Sequence, residues 1–265
     1  MDLGLKGCVA LVTASSRGLG LASAKALAGE GASAMLCGRD EARLATAVTD
    51  TQAAARDGAV IASLVQDVAA PDAAGKLVAE VERRFGKLDV LVTNAGGPPP
   101  GGFERADDAA WDTAYQLTLM SAVRLMRATL PLLRVSGRGR IINLLSTSVK
   151  QPIDNLLLSN ALRPAVVGLA KTLSSEVASD GITVNNVLPG VILTDRQREL
   201  KGAEAARRGV SVEQVIRDAA QVIPTRRIGQ PEEVGALVAF LASTQAGYLT
   251  GVSIQVDGGL VLGMF

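Results

Sequence analysis

CVALVTASSRGLGLASAKALAGEG, residues 8–31, is the stretch on which the fold turns. The apolar run Cys8–Thr13 ends in a turn with glycine at 18 and 20. It passes directly into Leu19–Gly29, where alanine, leucine and lysine recur at helical spacing. A strand, a glycine-rich turn and a helix in that order form a cradle for phosphate. Gly18 lets backbone approach a pyrophosphate, and Gly20 lets the helix pack close to the strand. The helix N-terminus adds unpaired N–H groups and partial positive charge. Glycine spacing alone is weak evidence; the flanking strand and helix give it force. The residues expected around such a ligand are Thr13, Ser15, Ser16, Arg17, Gly18, Leu19 and Gly20.

Outward from this turn, short apolar runs alternate with longer helical patterns. Ser33–Cys37, Val60–Val65, Val90–Thr93, Arg140–Leu145, Thr183–Leu188 and Ser253–Val256 read as further strands. Leu19–Gly29, Glu41–Arg56, Asp72–Phe85, Asp107–Val135, Pro164–Ser179 and Glu232–Ser243 read as helices. Alternation of this kind implies βαβ units. The expected architecture is α/β: a Rossmann-type, doubly wound, seven-stranded and mostly parallel sheet with helices on both faces. No linker divides residues 1–265, so one domain is expected. The helical stretch Arg196–Val222 follows the sixth strand, where ligands of open parallel sheets bind, and predicts a substrate-side lid over about 191–225. GGPPPGG at 96–102 follows a strand end and reads as a loop beside the site.

Composition narrows the chemistry. The 265 residues contain 27 Lys plus Arg, 26 Asp plus Glu and no histidine. A balanced charge gives no footprint for nucleic acid or an anionic membrane. Without histidine there is no Ser-His-Asp triad and no His metal site, and no metal is expected. Cys8 and Cys37 sit in apolar runs and read as buried free thiols. No apolar stretch reaches the roughly 18 residues a membrane span needs. A soluble cytoplasmic protein acting on a small-molecule substrate is the expectation.

The second strand ends Leu36-Cys37-Gly38-Arg39. An acidic residue there would hold a ribose 2′-hydroxyl. Arg39, with Arg17 nearby, suits a 2′-phosphate instead, so NADP(H) is favoured over NAD(H).

The chain resembles the short-chain dehydrogenase/reductases, in style the 3-oxoacyl-(acyl-carrier-protein) reductases. The matching stretches are TASSRGLG at 13–20, QDV at 66–68, TNAG at 93–96, GRIINLLS at 139–146, NNVLPGVILTD at 185–195, RIGQPEEV at 227–234 and YLTGVSIQVDGG at 248–259. The resemblance implies that Asp67 and Val68 contact adenine and that Asn94, Ala95 and Gly96 line the ribose. Pro189, Gly190, Ile192 and Thr194 would hold the nicotinamide end. It also implies a homodimer or homotetramer. Ala14 stands where the family has its first glycine, and the extra methyl is expected to be tolerated.

The resemblance implies a catalytic Asn, Ser, Tyr and Lys as well, and here the chain departs. Serine is kept as Ser146. The Asn position falls on Thr118, the Tyr position on Ser159 and the Lys position on Arg163, within SNALR at 159–163. An aliphatic hydroxyl is a far weaker acid than a phenol of pKa about 10. Arg163 stays charged and serves ribose hydroxyls or a developing alkoxide. Ser159 and Arg163 are four residues apart, which puts them on one helix face. Pro164 sets the helix start near itself or bends the helix there. Tyr248 reads as structural, among apolar neighbours. The expected function is an NADP(H)-dependent oxidoreductase for a carbonyl or alcohol. The alternatives are a weakly active or inactive dinucleotide-binding protein, or different chemistry on the same scaffold. The lid arginines, Arg196, Arg198, Arg207, Arg208 and Arg217, read as a solvated helix face.

Overall fold

The computed structural model describes residues 2–264. Seven strands form one sheet: β1 (Val9–Val12), β2 (Ser33–Gly38), β3 (Ile61–Val65), β4 (Val90–Thr93), β5 (Arg140–Leu144), β6 (Thr183–Pro189) and β7 (Ser253–Val256). Their order is β3-β2-β1-β4-β5-β6-β7. Every neighbouring pair is parallel. The helices are α1 (Gly18–Gly29), α2 (Glu41–Ala54), α3 (Ala73–Phe85), α4 (Asp108–Tyr115), α5 (Ser121–Ser136), α6 (Leu157–Glu176), α7 (Asp195–Arg208), α8 (Val212–Gln221) and α9 (Pro231–Ala242).

Side chains of successive strand residues point to opposite faces. Ala10 and Val12 of β1 accordingly join a core layer with Leu27 of α1, Leu44 of α2 and Val238 of α9. Val9 and Leu11 join the opposite layer with Leu77 of α3, Leu125 of α5 and Val166 of α6. Burial on both faces is why these strands read as continuous apolar runs. At Gly235 of α9, a methyl would lie 2.7 Å from the carbonyl oxygen of Ala22 in α1, so the two helices meet at backbone distance. The strand order reverses at β1 and β4, and the crevice beyond their carboxyl ends is where such folds bind ligands.

A polar ladder crosses the sheet one register row from this end. Thr93 Oγ1 donates to Asn143 Oδ1 (2.6 Å), Asn143 Nδ2 to Asn186 Oδ1 (2.9 Å) and Asn186 Nδ2 to Ser253 Oγ (3.0 Å). These residues are buried except for half-buried Ser253, and each hydrogen bond offsets a desolvation that would otherwise be costly.

Three sequence expectations are corrected. The helical pattern Asp107–Val135 is broken by a π-helical turn at Gln116–Met120, which carries Thr118. The helix expected from Pro164 begins at Leu157 and runs through the proline. Its first turns are tied down by Asn160, whose side chain accepts from Ile153 N (3.2 Å) and donates to Ile153 O (2.9 Å). Burial of Leu158, Val166 and Ala170 adds to this, against a proline cost of about 3 kcal/mol. Tyr248 is fully exposed and makes no apolar packing within the chain. Elsewhere the element ends agree to within three residues, and β4 and β7 have the expected bounds. Cys8 and Cys37 are buried and unpaired.

Candidate active site and cofactor cleft

The turn after β1 is built from hydroxyls turned inward. Thr13 Oγ1 donates to the carbonyl of Asn94 and accepts from Asn94 N, both at 2.8 Å, which locks the ends of β1 and β4 together. Ser15 Oγ donates to Val12 O (2.7 Å) and accepts from Cys37 N (2.9 Å), which fixes the turn to β2. Both residues are fully buried behind the cleft. Gly20 is where the backbone is tightest: a methyl there would lie 2.5 Å from Ala14 O and 2.9 Å from Asn94 Nδ2. Ala14 adopts φ +45°, a left-handed conformation that disfavours a side chain. Its methyl is therefore accommodated with strain.

In front of this turn lies a cleft of about 440 Å³ lined by Ser16, Arg17, Gly18, Leu19, Arg39, Asp67, Val68, Asn94, Ala95, Gly96 and Thr194, together with Gly97, Asp195 and Arg196. No side chain caps the N-terminus of α1, so its first N–H groups face ligand space. Gly18 has φ +59°, and a methyl there would lie 3.5 Å from Thr194 Cγ2, so the loop after β6 closes against the phosphate turn. An anion fits this end of the cleft. Arg39 Nη1 lies 3.8 Å from Asp67 Oδ2, with its side chain mostly exposed, and Arg17 pairs with Glu199 of α7 at 3.2 Å. Cys37 lines the same cleft, and burial pushes its thiol up to about 11, which keeps it an unreactive wall group. Pro189, Gly190 and Ile192 do not line the cleft. Gly190 backs onto Asp257, and buried Ile192 bridges to Gly229.

The second half of the site lies beside the strand ends of β4 and β5. Arg163 Nε donates to Ser159 Oγ at 2.9 Å across one turn of α6. Ser159 Oγ in turn lies 3.5 Å from Ser148 Oγ. Ser146 Oγ accepts from Ser148 N at 3.1 Å, which leaves its own O–H free to donate. Four residues thus converge, and Ser148 is the one that the sequence did not single out. Its only signal was a hydroxyl two residues past Ser146. A small pocket of about 20 Å³ adjoins them, lined by Thr118, Asn94, Ala95, Gly96 and Arg163. This is close to the volume one water needs. Thr118 is buried there and its hydroxyl has no protein partner.

Arg163 is half-buried and bonds to no carboxylate among the described residues. Burial, and then the charge of Arg196, pulls its pKa down to about 10, so it stays cationic at neutral pH. Arg196 is exposed, as expected of the lid arginines, and lies beside the turn Gly96-Gly97. Its Nη1 lies 3.2 Å from where a side chain on Gly97 would begin. Arg208 and Arg217 are exposed as well, paired with Glu204, Asp218 and Gln214. The proline-rich loop is pinned across the site, with Gly101 N donating to Asn155 O at 2.8 Å. Among the described residues no cluster of metal-ligating side chains occurs, and no helix is long and apolar enough to cross a membrane.

Comparison with known proteins agrees with this geometry. The family described as enoyl-(acyl carrier protein) reductase matches residues 13–261. The chain is 34% identical over 262 residues to the 3-oxoacyl-(acyl-carrier-protein) reductase FabG of Escherichia coli, covering 98% of this chain and 100% of that one. It is 34% identical over 253 residues to the D-beta-hydroxybutyrate dehydrogenase of Rhizobium meliloti, covering 94% and 97%. Among solved structures, L-sorbose reductase from Gluconobacter frateurii, complexed with NADPH and L-sorbose, superposes with a TM-score of 0.96 at 34% identity over 100% of both chains.

Proposed function

Because the chain belongs to the short-chain dehydrogenase/reductase family and is a reductase of its ketoacyl-reductase type, we propose that it is an NADP(H)-dependent oxidoreductase acting on a carbonyl or alcohol, with the family's Tyr and Lys replaced by Ser159 and Arg163. The observation that carries this is the hydrogen bond between Arg163 and Ser159, with Arg163 lining a small pocket that shares Asn94, Ala95 and Gly96 with the dinucleotide cleft. NADP(H) is preferred over NAD(H) because Arg39 and Arg17 flank the adenosine end and no carboxylate follows β2 directly. One domain carries the whole site, and α7 and α8 serve as its lid.

When bound, the nicotinamide supplies a hydride to a carbonyl carbon or accepts one from an alcohol carbon. The chain's own residues manage the oxygen. Ser146 donates its free O–H to the substrate oxygen. Arg163 stabilises the negative charge that develops there, and a guanidinium needs no change of protonation to do so. Ser159 accepts from Arg163 Nε, which leaves its own hydrogen free to pass to the alkoxide. A solvent proton then restores Ser159, and the small pocket lined by Thr118 and Arg163 has room for one water to deliver it. Loss of a phenolic general acid costs about 10²- to 10⁴-fold in rate, so slow turnover is expected. The test mixes pure protein with NADPH and a panel of 3-oxoacyl thioesters, ketones and quinones. Substrate-dependent oxidation of NADPH supports the reading. NADPH binding without turnover on any of them points to the non-catalytic alternative.

A further inference from the structure

We propose that Ser148 is a positioning residue for the reaction: its hydroxyl donates to Ser159 and thereby directs the Ser159 hydrogen at the substrate oxygen. This rests on the reductase reading above. Three hydrogen bonds define the arrangement. Ser148 N donates to Ser146 Oγ at 3.1 Å, which ties the turn after β5 to that serine. Ser148 Oγ lies 3.5 Å from Ser159 Oγ. Arg163 Nε donates to Ser159 Oγ at 2.9 Å.

Counting hydrogens gives the contact between the two hydroxyls its direction. A serine hydroxyl has one hydrogen to donate and two lone pairs with which to accept. Ser148 is buried, and Ser159 Oγ is the one partner of its hydroxyl among the described residues. Were Ser148 the acceptor, its own hydrogen would be buried unpaired, which is costly. As the donor it is satisfied. Ser159 Oγ then accepts twice, from Arg163 and from Ser148, and its hydrogen is the one group left to point at the substrate. Other buried hydroxyls in the chain give their hydrogen to a backbone carbonyl: Ser15 to Val12 O at 2.7 Å, Ser23 to Leu19 O at 2.8 Å and Thr129 to Leu125 O at 2.8 Å. Ser148 and Ser159 have each other instead. Their contact is long, and catalytic hydrogen bonds often tighten only with substrate in place. Without the Ser148 hydroxyl, one lone pair of Ser159 is open and its hydrogen has no fixed direction, so turnover suffers while binding does not.

The test is steady-state kinetics of the whole protein with NADPH and a ketone or 3-oxoacyl thioester that the wild type reduces. Ser148→Ala removes the hydroxyl, and Ser148→Cys keeps its volume but donates weakly. Each should lower kcat about three- to tenfold, the worth of one neutral hydrogen bond, with KM and NADPH affinity within about twofold. If Ser148 acts through Ser159, Ser148→Ala added to Ser159→Ala costs less than about twofold more, because the group it positions is already gone. Should Ser148→Ala fail to fold, Ser148→Cys decides alone. Unchanged kcat overturns the proposal. So does a loss that falls on KM or on NADPH, or one of the same size with and without the Ser159 hydroxyl, since each of these marks a structural role. Turnover indifferent to position 148 leaves the reductase reading intact. A wild type that binds NADPH and reduces nothing strikes that reading, and this proposal with it.

Discussion

Arg163 Nε donates to Ser159 Oγ at 2.9 Å, so the cation and the hydroxyl form one unit across a turn of α6. Removing the hydroxyl with Ser159→Ala leaves that donor without a partner in a half-buried setting. The expected cost is about 1–3 kcal/mol of stability, read as a lowered urea midpoint. NADPH-linked turnover should fall at least about tenfold, because the proton route through Ser159 is cut. Unchanged turnover in a folded variant would remove Ser159 from the mechanism.

The glycine-rich turn after β1 is strained at one position. Ala14 sits at φ +45°, where glycine carries no steric penalty. Ala14→Gly should therefore stabilise the protein by about 0.5–1 kcal/mol, after the greater unfolded-state entropy of glycine is subtracted. Thermal unfolding should shift up by about 1–4 °C. A lowered melting temperature would mean that the methyl makes compensating contacts.

Arg39 is held near the cleft only by a long contact to Asp67, 3.8 Å, with most of its side chain in solvent. A 2′-phosphate would therefore find it available. Arg39→Ala should weaken NADPH binding by about 10- to 100-fold, the worth of one or two charged hydrogen bonds. NADH binding should change less than about twofold. Equal loss for both cofactors in fluorescence titration would assign Arg39 a structural role.

The sheet and the cleft were legible for a simple reason. Parallel strands buried on both faces leave unbroken apolar runs, and the phosphate turn leaves glycines at fixed spacing. The site's second half was less legible. Pro164 signals a helix start by local preference, yet the Asn160 side chain bonds the backbone of Ile153 and holds the helix from Leu157. That contact is tertiary and leaves no periodic trace. The same holds for the π turn around Thr118 and for Ser148, whose hydroxyl matters only because Ser159 folds onto it. Thr13 and Ser15 show the converse. Their hydroxyls sit in the right motif but are bonded inward, to Asn94, Val12 and Cys37.

Glu233 gives a pH prediction with a defined sign. Its carboxylate accepts from Arg227 and from Gln230 N at the start of α9. The Arg227 guanidinium, and then the Gln230 amide, hold its pKa down to about 2, below the ordinary 4.5. A depressed folded pKa adds stability that is full above 4.5 and is lost as pH falls through 2. The side chain is more than one-third exposed, so screening limits the effect to about 1 kcal/mol. Glu233→Gln should cost that much at pH 7 and nearly nothing at pH 2. A constant difference across the range would show that the cap acts through shape and not charge.

The sharpest test of the proposed catalytic positions installs a phenol and an ammonium there. Ser159 and Arg163 share one face of α6, and their hydrogen bond shows that side chains from these positions reach each other. The double variant Ser159→Tyr with Arg163→Lys would place a phenol and an ammonium on that face. The ammonium would lower the phenol's pKa toward neutrality, which an aliphatic hydroxyl beside a guanidinium does not reach. Turnover of a neutral ketone should rise at least about tenfold, toward the 10²- to 10⁴-fold worth of a general acid. Its pH profile should gain a limb set by the new phenol. A folded double variant that binds NADPH but shows no gain on any neutral ketone would mean that Ser159 and Arg163 do not occupy the positions from which a proton reaches the substrate.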